Sequence, residues 1–388
     1  MNNTPSSERL HIVLAGNCNS GKSSLLNAIC GQNAAVVSPR PGTTTDPVRK
    51  PAELPGLGAC VIVDTPGIDD SDELGALRME RSREELAKAD MIIAVADAEK
   101  SGDFEDLLKN LKKYGVPVIT VVSKSDLTPC ADSQMKSGGD AIKVSAVTGE
   151  GIDLLLKRLA AEMSGSDITI TGNLVKAGDI VVLVMPQDIQ APKGRLILPQ
   201  VQTLRELLDK GCIPICTTPD NLAEALSHLD RTPDLVITDS QVFGQVASVI
   251  PDDCRLTSFS VLMAAYKGDA ALFLEGLKAL DTFTEESRVL IAEACSHVPQ
   301  TEDIGRVKIP RLLRSRFGSG LRIDFCNGAD FPENLSAYDL IIHCGGCMFT
   351  RRHVLSRVRR ASASGVPITN YGMLLAHFAG ILPRVVLP

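Results

Sequence analysis

Residues 16–23 of this 388-residue chain read G-N-C-N-S-G-K-S, a glycine-rich turn between an apolar run and a helix-forming stretch. Backbone N–H groups of such a turn converge on one concavity that binds phosphate oxygens. In this spacing Lys22 reaches the outer phosphates and Ser23 binds Mg2+. Gly16, Asn17, Asn19, Ser20, Gly21 and Ser24 complete the cradle. Asp64, in D-T-P-G at 64–67, is expected to hold Mg2+ through water, and the Gly67 N–H to meet the terminal phosphate. In S-K-S-D at 123–126, Asp126 is placed to accept from guanine N1–H and N2–H, with Lys124 in the same nucleotide set. Adenine would leave that carboxylate unpaired, so the pairing selects GTP. In S-A-V-T-G-E-G, which starts at Ser145, the backbone around Ala146 supports guanine O6. Thr44 of G-T-T-T-D at 42–46, with Thr43 as the alternative, is the switch residue expected on Mg2+ and the γ-phosphate. The chemistry implied is GTP hydrolysis, with Lys22, Thr44 and Gly67 acting on the transferred phosphoryl group.

A second constellation stands near the other end. Cys295-Ser296-His297 closes the apolar run R-V-L-I-A-E-A-C, and His343-Cys344-Gly345-Gly346-Cys347 closes Y-D-L-I-I-H-C. Both groups fall at carboxyl ends of strands expected to be parallel, the edge where open α/β sheets bind ligands. Three Cys and two His exceed what one site needs. A Cys3His zinc site, a [4Fe–4S] cluster on three Cys, and chance spacing among 11 Cys all remain open on spacing alone. Six of the other thiols are expected to pack as small apolar residues, namely Cys30, Cys60, Cys212, Cys216, Cys254 and Cys326, while Cys18 lies in the phosphate loop. His353 and His377 fall on expected helices and are read as ordinary.

The nucleotide motifs together resemble those of translation-factor-type GTPases, and most resemble the tRNA-modifying and ribosome-assembly group. Against that pattern Ser123 replaces an Asn, a shorter arm that loosens the clip between base and phosphate loop. Ile68 stands where Ras-like proteins carry a catalytic Gln, which points to slow hydrolysis. Asn19 matches the Asn of potassium-activated members, so the resemblance implies K+ as a further cofactor. C-x-H followed by H-C-x-x-C behind such a GTPase, with A-P-K-G-R-L-I-L-P-Q-V-Q-T-L-R between, is similar to the [FeFe]-hydrogenase maturation GTPases, the HydF family. This resemblance spans essentially the whole chain. It implies a homodimer carrying a [4Fe–4S] cluster on Cys295, Cys344 and Cys347, with His297 or His343 near the open iron. Asp188 is a further candidate for that oxygen or nitrogen donor. It also implies that radical-SAM maturases supply a diiron precursor and that the [FeFe]-hydrogenase apoprotein receives it. The competing reading is an RNA-associated GTPase with a structural zinc; a GTP-regulated metal enzyme is a third, for which no acid/base cluster is visible.

The elements that must position these groups read as α/β throughout. An alternation of short apolar strands and helices over 1–165 predicts a P-loop GTPase domain with a doubly wound parallel sheet. The polar stretch Met163–Asn173 reads as a linker. Two smaller α/β domains with mainly parallel sheets follow, one at 174–257 for dimerisation and one at 258–388 for the cluster. The latter is expected to open with one helix over S-V-L-M-A-A-Y-K-G-D-A-A-L-F-L-E-G-L-K-A-L. Composition trims the alternatives. With aromatics at 4%, no Trp and net charge −7, neither a base-stacking platform nor a broad phosphate-binding face is expected, so no nucleic-acid partner is. The basic run Arg351, Arg352, Arg357, Arg359, Arg360 reads as a solvated helix face. The polar start M-N-N-T-P-S-S-E-R-L is no signal peptide, and no apolar run reaches about 18 residues, so no membrane partner is expected. Eleven Cys without an export signal suit a reducing, cytoplasmic setting.

Overall fold

Apolar runs flanked by Gly-rich turns become parallel strands here because both of their faces are covered by helices. The computed structural model describes residues 8–31, 47–67, 75–97, 104–127, 141–163, 168–187, 194, 196–294, 303–328 and 330–388. The chain divides into two compact units, Met1–Ser166 and Asp167–Pro388.

The first unit runs β1 (Leu10–Ala15), α1 (Lys22–Cys30), β2 (Val48–Leu54), β3 (Gly58–Asp64), α2 (Gly75–Lys88), β4 (Met91–Asp97), α3 (Phe104–Lys112), β5 (Val118–Ser123), β6 (Ile142–Lys143) and α4 (Ile152–Met163). Its sheet has the order β2-β3-β1-β4-β5-β6. Every pairing is parallel except β2 with β3. All seven residues of β4 are buried, as a central strand covered on both faces requires. β1 lies between β3 and β4, so the turn leaving its carboxyl end opens at the topological switch point of the sheet.

The second unit continues with β7 (Ile180–Val184), α5 (Leu198–Asp209), β8 (Ile213–Thr217), α6 (Leu222–Ser227), β9 (Leu235–Thr238), α7 (Phe243–Val249), β10 (Leu256–Ser258) and α8 (Phe259–Lys267). Then come α9 (Ala270–Leu277), β11 (Arg288–Glu293), α10 (Ile309–Phe317), β12 (Arg322–Asn327), β13 (Leu340–His343), α11 (Arg351–Ala363), β14 (Ile368–Asn370) and α12 (Tyr371–Phe378). Two four-stranded parallel sheets result, ordered β10-β9-β7-β8 and β12-β11-β13-β14. They share a core: one apolar cluster runs from Val182 and Val236 through Val261 to Val289, Ile341 and Leu374. The last residues also return to the first of these sheets, Val385 bridging Leu256 and the Val386 N–H donating to Leu256 O at 2.9 Å. The polar stretch before β7 is tied down, with the Glu206 carboxylate accepting from the Thr171 N–H and the Lys210 ammonium donating to Gly172 O.

Three expectations are corrected. The single helix over 260–280 is broken into α8 and α9, because Asp269 caps α9 by accepting from the Leu272 N–H and its backbone is extended. Cys216 is exposed on β8, an edge strand, instead of packing inside. Arg357, read as part of a solvated face, is 2% exposed. It lies on the buried stripe Val354–Arg357–Val358–Ala361, with its guanidinium over the rings of Phe331 and Phe349.

Candidate functional sites

The nucleotide residues converge where β1, β3 and β5 end. Lys22 is buried at the first turn of α1, its ammonium donating to Gly16 O at 2.9 Å and Asn17 O at 2.7 Å. Ser23 Oγ donates to Asp64 Oδ2 at 2.5 Å, so the two groups expected on Mg2+ are already in contact. Asp64 Oδ1 is buried and makes no hydrogen bond, which suits a carboxylate built to face a cation. Burial pushes its carboxyl above the ordinary range, opposed by the Ser23 hydrogen bond and the Lys22 charge. Gly67 sits so close to Cys18 that a Cβ there would overlap Sγ and come within 2.7 Å of the Cys18 N. Only glycine therefore lets the D-T-P-G turn approach the phosphate loop. Asn19 takes a left-handed backbone at φ 61°.

On the base side, Ser123 Oγ lies 2.5 Å from Ser20 O and 3.0 Å from Ala96 O, its one proton shared between them. The short arm thus still reaches the phosphate loop. Lys124 pairs with Asp97 at 2.7 Å, leaving Asp126 exposed in the adjoining turn. Ser145 Oγ accepts from the Val147 and Thr148 N–H groups, which folds the backbone at Ala146 toward the same face. The Ser125 N–H donates to Val144 O and joins the two base loops. Thr44 and Ile68 lie outside the described residues.

The second site is built at the end of the other sheet. β11 pairs with β12 on one side and β13 on the other, so the crevice between β11 and β13 is that sheet's switch point. Cys344 leaves β13 there, and its Sγ accepts from the Ala294 N–H at 3.0 Å and the Gly346 N–H at 3.4 Å. Two backbone N–H groups therefore converge on this one sulfur. Cys347 follows in the same loop; burial pushes its thiol up, opposed by Lys267. Cys295 directly follows the described Ala294, but Cys295, His297 and Asp188 are outside the described residues. Among the described residues no group of three or more His, Cys, Asp or Glu could hold a metal ion. Two thiols on one loop, one of them with two backbone donors, fit a thiolate-bound metal.

His343 is fully buried, with Nδ1 2.7 Å from Cys344 O and Nε2 3.2 Å from Arg357 Nη1. Both ring nitrogens are thus engaged in the neutral form. Burial, reinforced by the Arg357 charge, pushes its pKa down to about 3. His353 stacks on Phe349 with ring centroids 3.8 Å apart.

Lys267, missed in the sequence, organises the loop after β13. It is 2% exposed at the end of α8 and donates to Gly346 O, Cys347 O and Phe349 O at 3.2, 3.3 and 2.7 Å. A lysine ending an otherwise apolar helix was its only sequence signal. Lys267→Met should destabilise the second unit by about 3 kcal/mol, because buried carbonyls lose their donor. Urea denaturation measures this; an unchanged midpoint would show that the loop holds itself.

Fold and nucleotide site together define a P-loop GTPase domain carrying further α/β modules. Residues 11–124 match the model of the 50S ribosome-binding GTPase family. Residues 170–268 match the hydrogen maturase F dimerization domain, and residues 271–388 the hydrogen maturase F tetramerization domain. These last two cover more than half of the chain, and the chain belongs to the hydrogen maturase F family. Its second unit accordingly consists of oligomerisation domains. The tRNA modification GTPase MnmE of Burkholderia mallei (strain SAVP1) is 37% identical over 172 residues, covering 41% of this chain and 37% of the relative. The MnmE of Acidovorax sp. (strain JS42) is 37% identical over 163 residues, covering 39% of this chain and 35% of the relative. The chain thus spans little more than a third of these relatives' length. Among solved structures, a point variant of Aquifex aeolicus Era bound to GDP.AlF4- is 21% identical, with a TM-score of 0.36, covering 56% of this chain and 97% of that one. No described helix is long and apolar enough to cross a membrane.

Proposed function

We propose that this chain is a cytoplasmic, GTP-hydrolysing scaffold that binds a [4Fe–4S] cluster on Cys295, Cys344 and Cys347. In this reading it takes up a diiron precursor from radical-SAM maturases and delivers it to apo-[FeFe]-hydrogenase. The observation that carries the reading is the Cys344 thiol at the β11–β13 switch point, accepting the N–H of Ala294. Family membership supports the function and disfavours the RNA-associated alternative, whose relatives match the GTPase region alone.

The cluster supplies an iron whose fourth position is exchangeable, the property a carrier needs. With both His343 nitrogens engaged, the fourth donor comes from His297 or Asp188. The homodimer forms through 174–257. In the nucleotide site, Ser23, Asp64 and Thr44 hold Mg2+, Lys22 and the Gly67 N–H meet the terminal phosphates, and Asp126 reads guanine. Asn19 holds K+, so turnover is higher in K+ than in Na+ buffer; equal rates would remove the K+ role.

The test is anaerobic reconstitution of the full chain with iron and sulfide, followed by mixing with apo-hydrogenase and its maturases. A brown protein whose reduced form gives a [4Fe–4S] EPR signal, and whose addition restores hydrogen evolution, is expected. A colourless zinc protein would overturn the reading.

A further inference from the structure

Within electrostatic reach of Cys344 lies a buried phenol that the nucleotide and metal readings do not use. Tyr371 opens α12, is 9% exposed, and its Oη makes no hydrogen bond. Leaving a buried hydroxyl without a partner costs roughly 1–3 kcal/mol, so folded proteins rarely do it without reason. Its nearest neighbours leave it without a partner. Gly305 approaches so closely that a Cβ there would overlap Tyr371 Oη and lie 2.6 Å from Glu293 Oε1. Gly305 belongs to a π-helical turn, Ile304–Lys308, whose Arg306 holds the other Glu293 oxygen through Nε and Nη2, both at 2.8 Å. Glu293 is therefore fixed by Arg306, and bare glycine backbone faces the phenol.

The same two elements touch Cys344. Asn370, one residue before Tyr371, donates from Nδ2 to Cys344 O at 3.2 Å. Ala294, one residue after Glu293, donates its N–H to Cys344 Sγ. Tyr371 and Glu293 thus each stand one residue from a direct contact with that cysteine. Burial raises the phenol well above its ordinary pKa, so it is a hydrogen-bond donor.

We propose that Tyr371 donates a hydrogen bond to the anionic metal–sulfur group held at Cys344, and so positions that group and tunes its redox potential. The inference rests on the cluster reading above. A donor aimed at sulfur stabilises the more negative, reduced state and raises the potential. A tyrosine that merely fills the core would leave that potential untouched.

The test uses the full-length chain and its Tyr371→Phe variant, both reconstituted anaerobically with iron and sulfide. Phenylalanine keeps the ring and removes only the unpartnered hydroxyl, so the variant should unfold at or above the wild-type temperature. Expected are equal iron content, a midpoint potential displaced to more negative values in EPR-monitored titration, and shifted g values. In D2O-exchanged, reduced wild type, deuteron ENDOR should show a coupling that is lost in Tyr371→Phe. Identical potentials, spectra and couplings in two loaded proteins would overturn the role of Tyr371 while leaving the cluster reading intact. A wild type that takes up no iron would overturn both.

Discussion

A Lys22→Ala chain is expected to hydrolyse GTP on the order of 10^3-fold more slowly than wild type, since phosphoryl transfer depends on electrostatic stabilisation and positioning by such groups. Lys22 is buried at the start of α1 with its ammonium on Gly16 O and Asn17 O, within the loop that must wrap the phosphates. Alanine removes the only charge in the motif and leaves those carbonyls without this donor, while α1 itself is anchored by Leu25, Leu26 and Ile29. Circular dichroism should therefore match wild type while single-turnover hydrolysis falls. A loss of less than about tenfold would show that phosphate charge is neutralised elsewhere. The same variant probes coupling between the sites. If GTP controls handover of the precursor, hydrogenase activation falls with hydrolysis; intact activation would separate the two.

The second large effect is expected at Cys344. Cys344→Ala, reconstituted anaerobically, should hold at least about tenfold less iron than wild type, because a lost ligand and its oriented donors are not replaced. Its Sγ is the acceptor for Ala294 and Gly346, the junction of β11 with the loop after β13. Removing the sulfur disorganises both sides. Cys30→Ala, at the end of α1 in the other unit, should bind iron as wild type does and controls for nonspecific thiol loading. Iron analysis and EPR decide; full iron in Cys344→Ala would assign the metal to other residues.

How far the sequence carried the structure depended on range. The phosphate loop was legible because its chemistry is local: eight consecutive residues specify turn, cradle and helix start. The direct hydrogen bond of Ser23 to Asp64 was not read from the sequence, which offered only a common Mg2+ for the two. Nor was β2. Val48–Leu54 carries Arg49, Lys50 and Glu53 and has Pro51 in its middle, so it offers no apolar run, and it exists because β3 pairs with it antiparallel. Arg357 was misread for a different reason. The basic run was weighed by composition, while the stripe 354, 357, 358, 361 placed it inward, where Phe331, Phe349 and His343 receive it. Lys267 and Tyr371 act through contacts some 80 and 60 residues away in sequence or more, as with Gly346 and Gly305, and no pattern within one helix reveals such partners.

The common core of the two later sheets bears on how this protein could be recombined. Val385 and Val386 complete the border of a sheet whose other strands end at Ser258, and α8 contributes to the packing of both halves. A chimera that exchanged only residues 271–388 with a relative would graft a foreign tail onto Leu256 and a foreign loop onto Lys267. Exchange should succeed only when α8, the loop after β13 and the closing residues travel together, which makes the whole of 167–388 the smallest piece that can be moved intact.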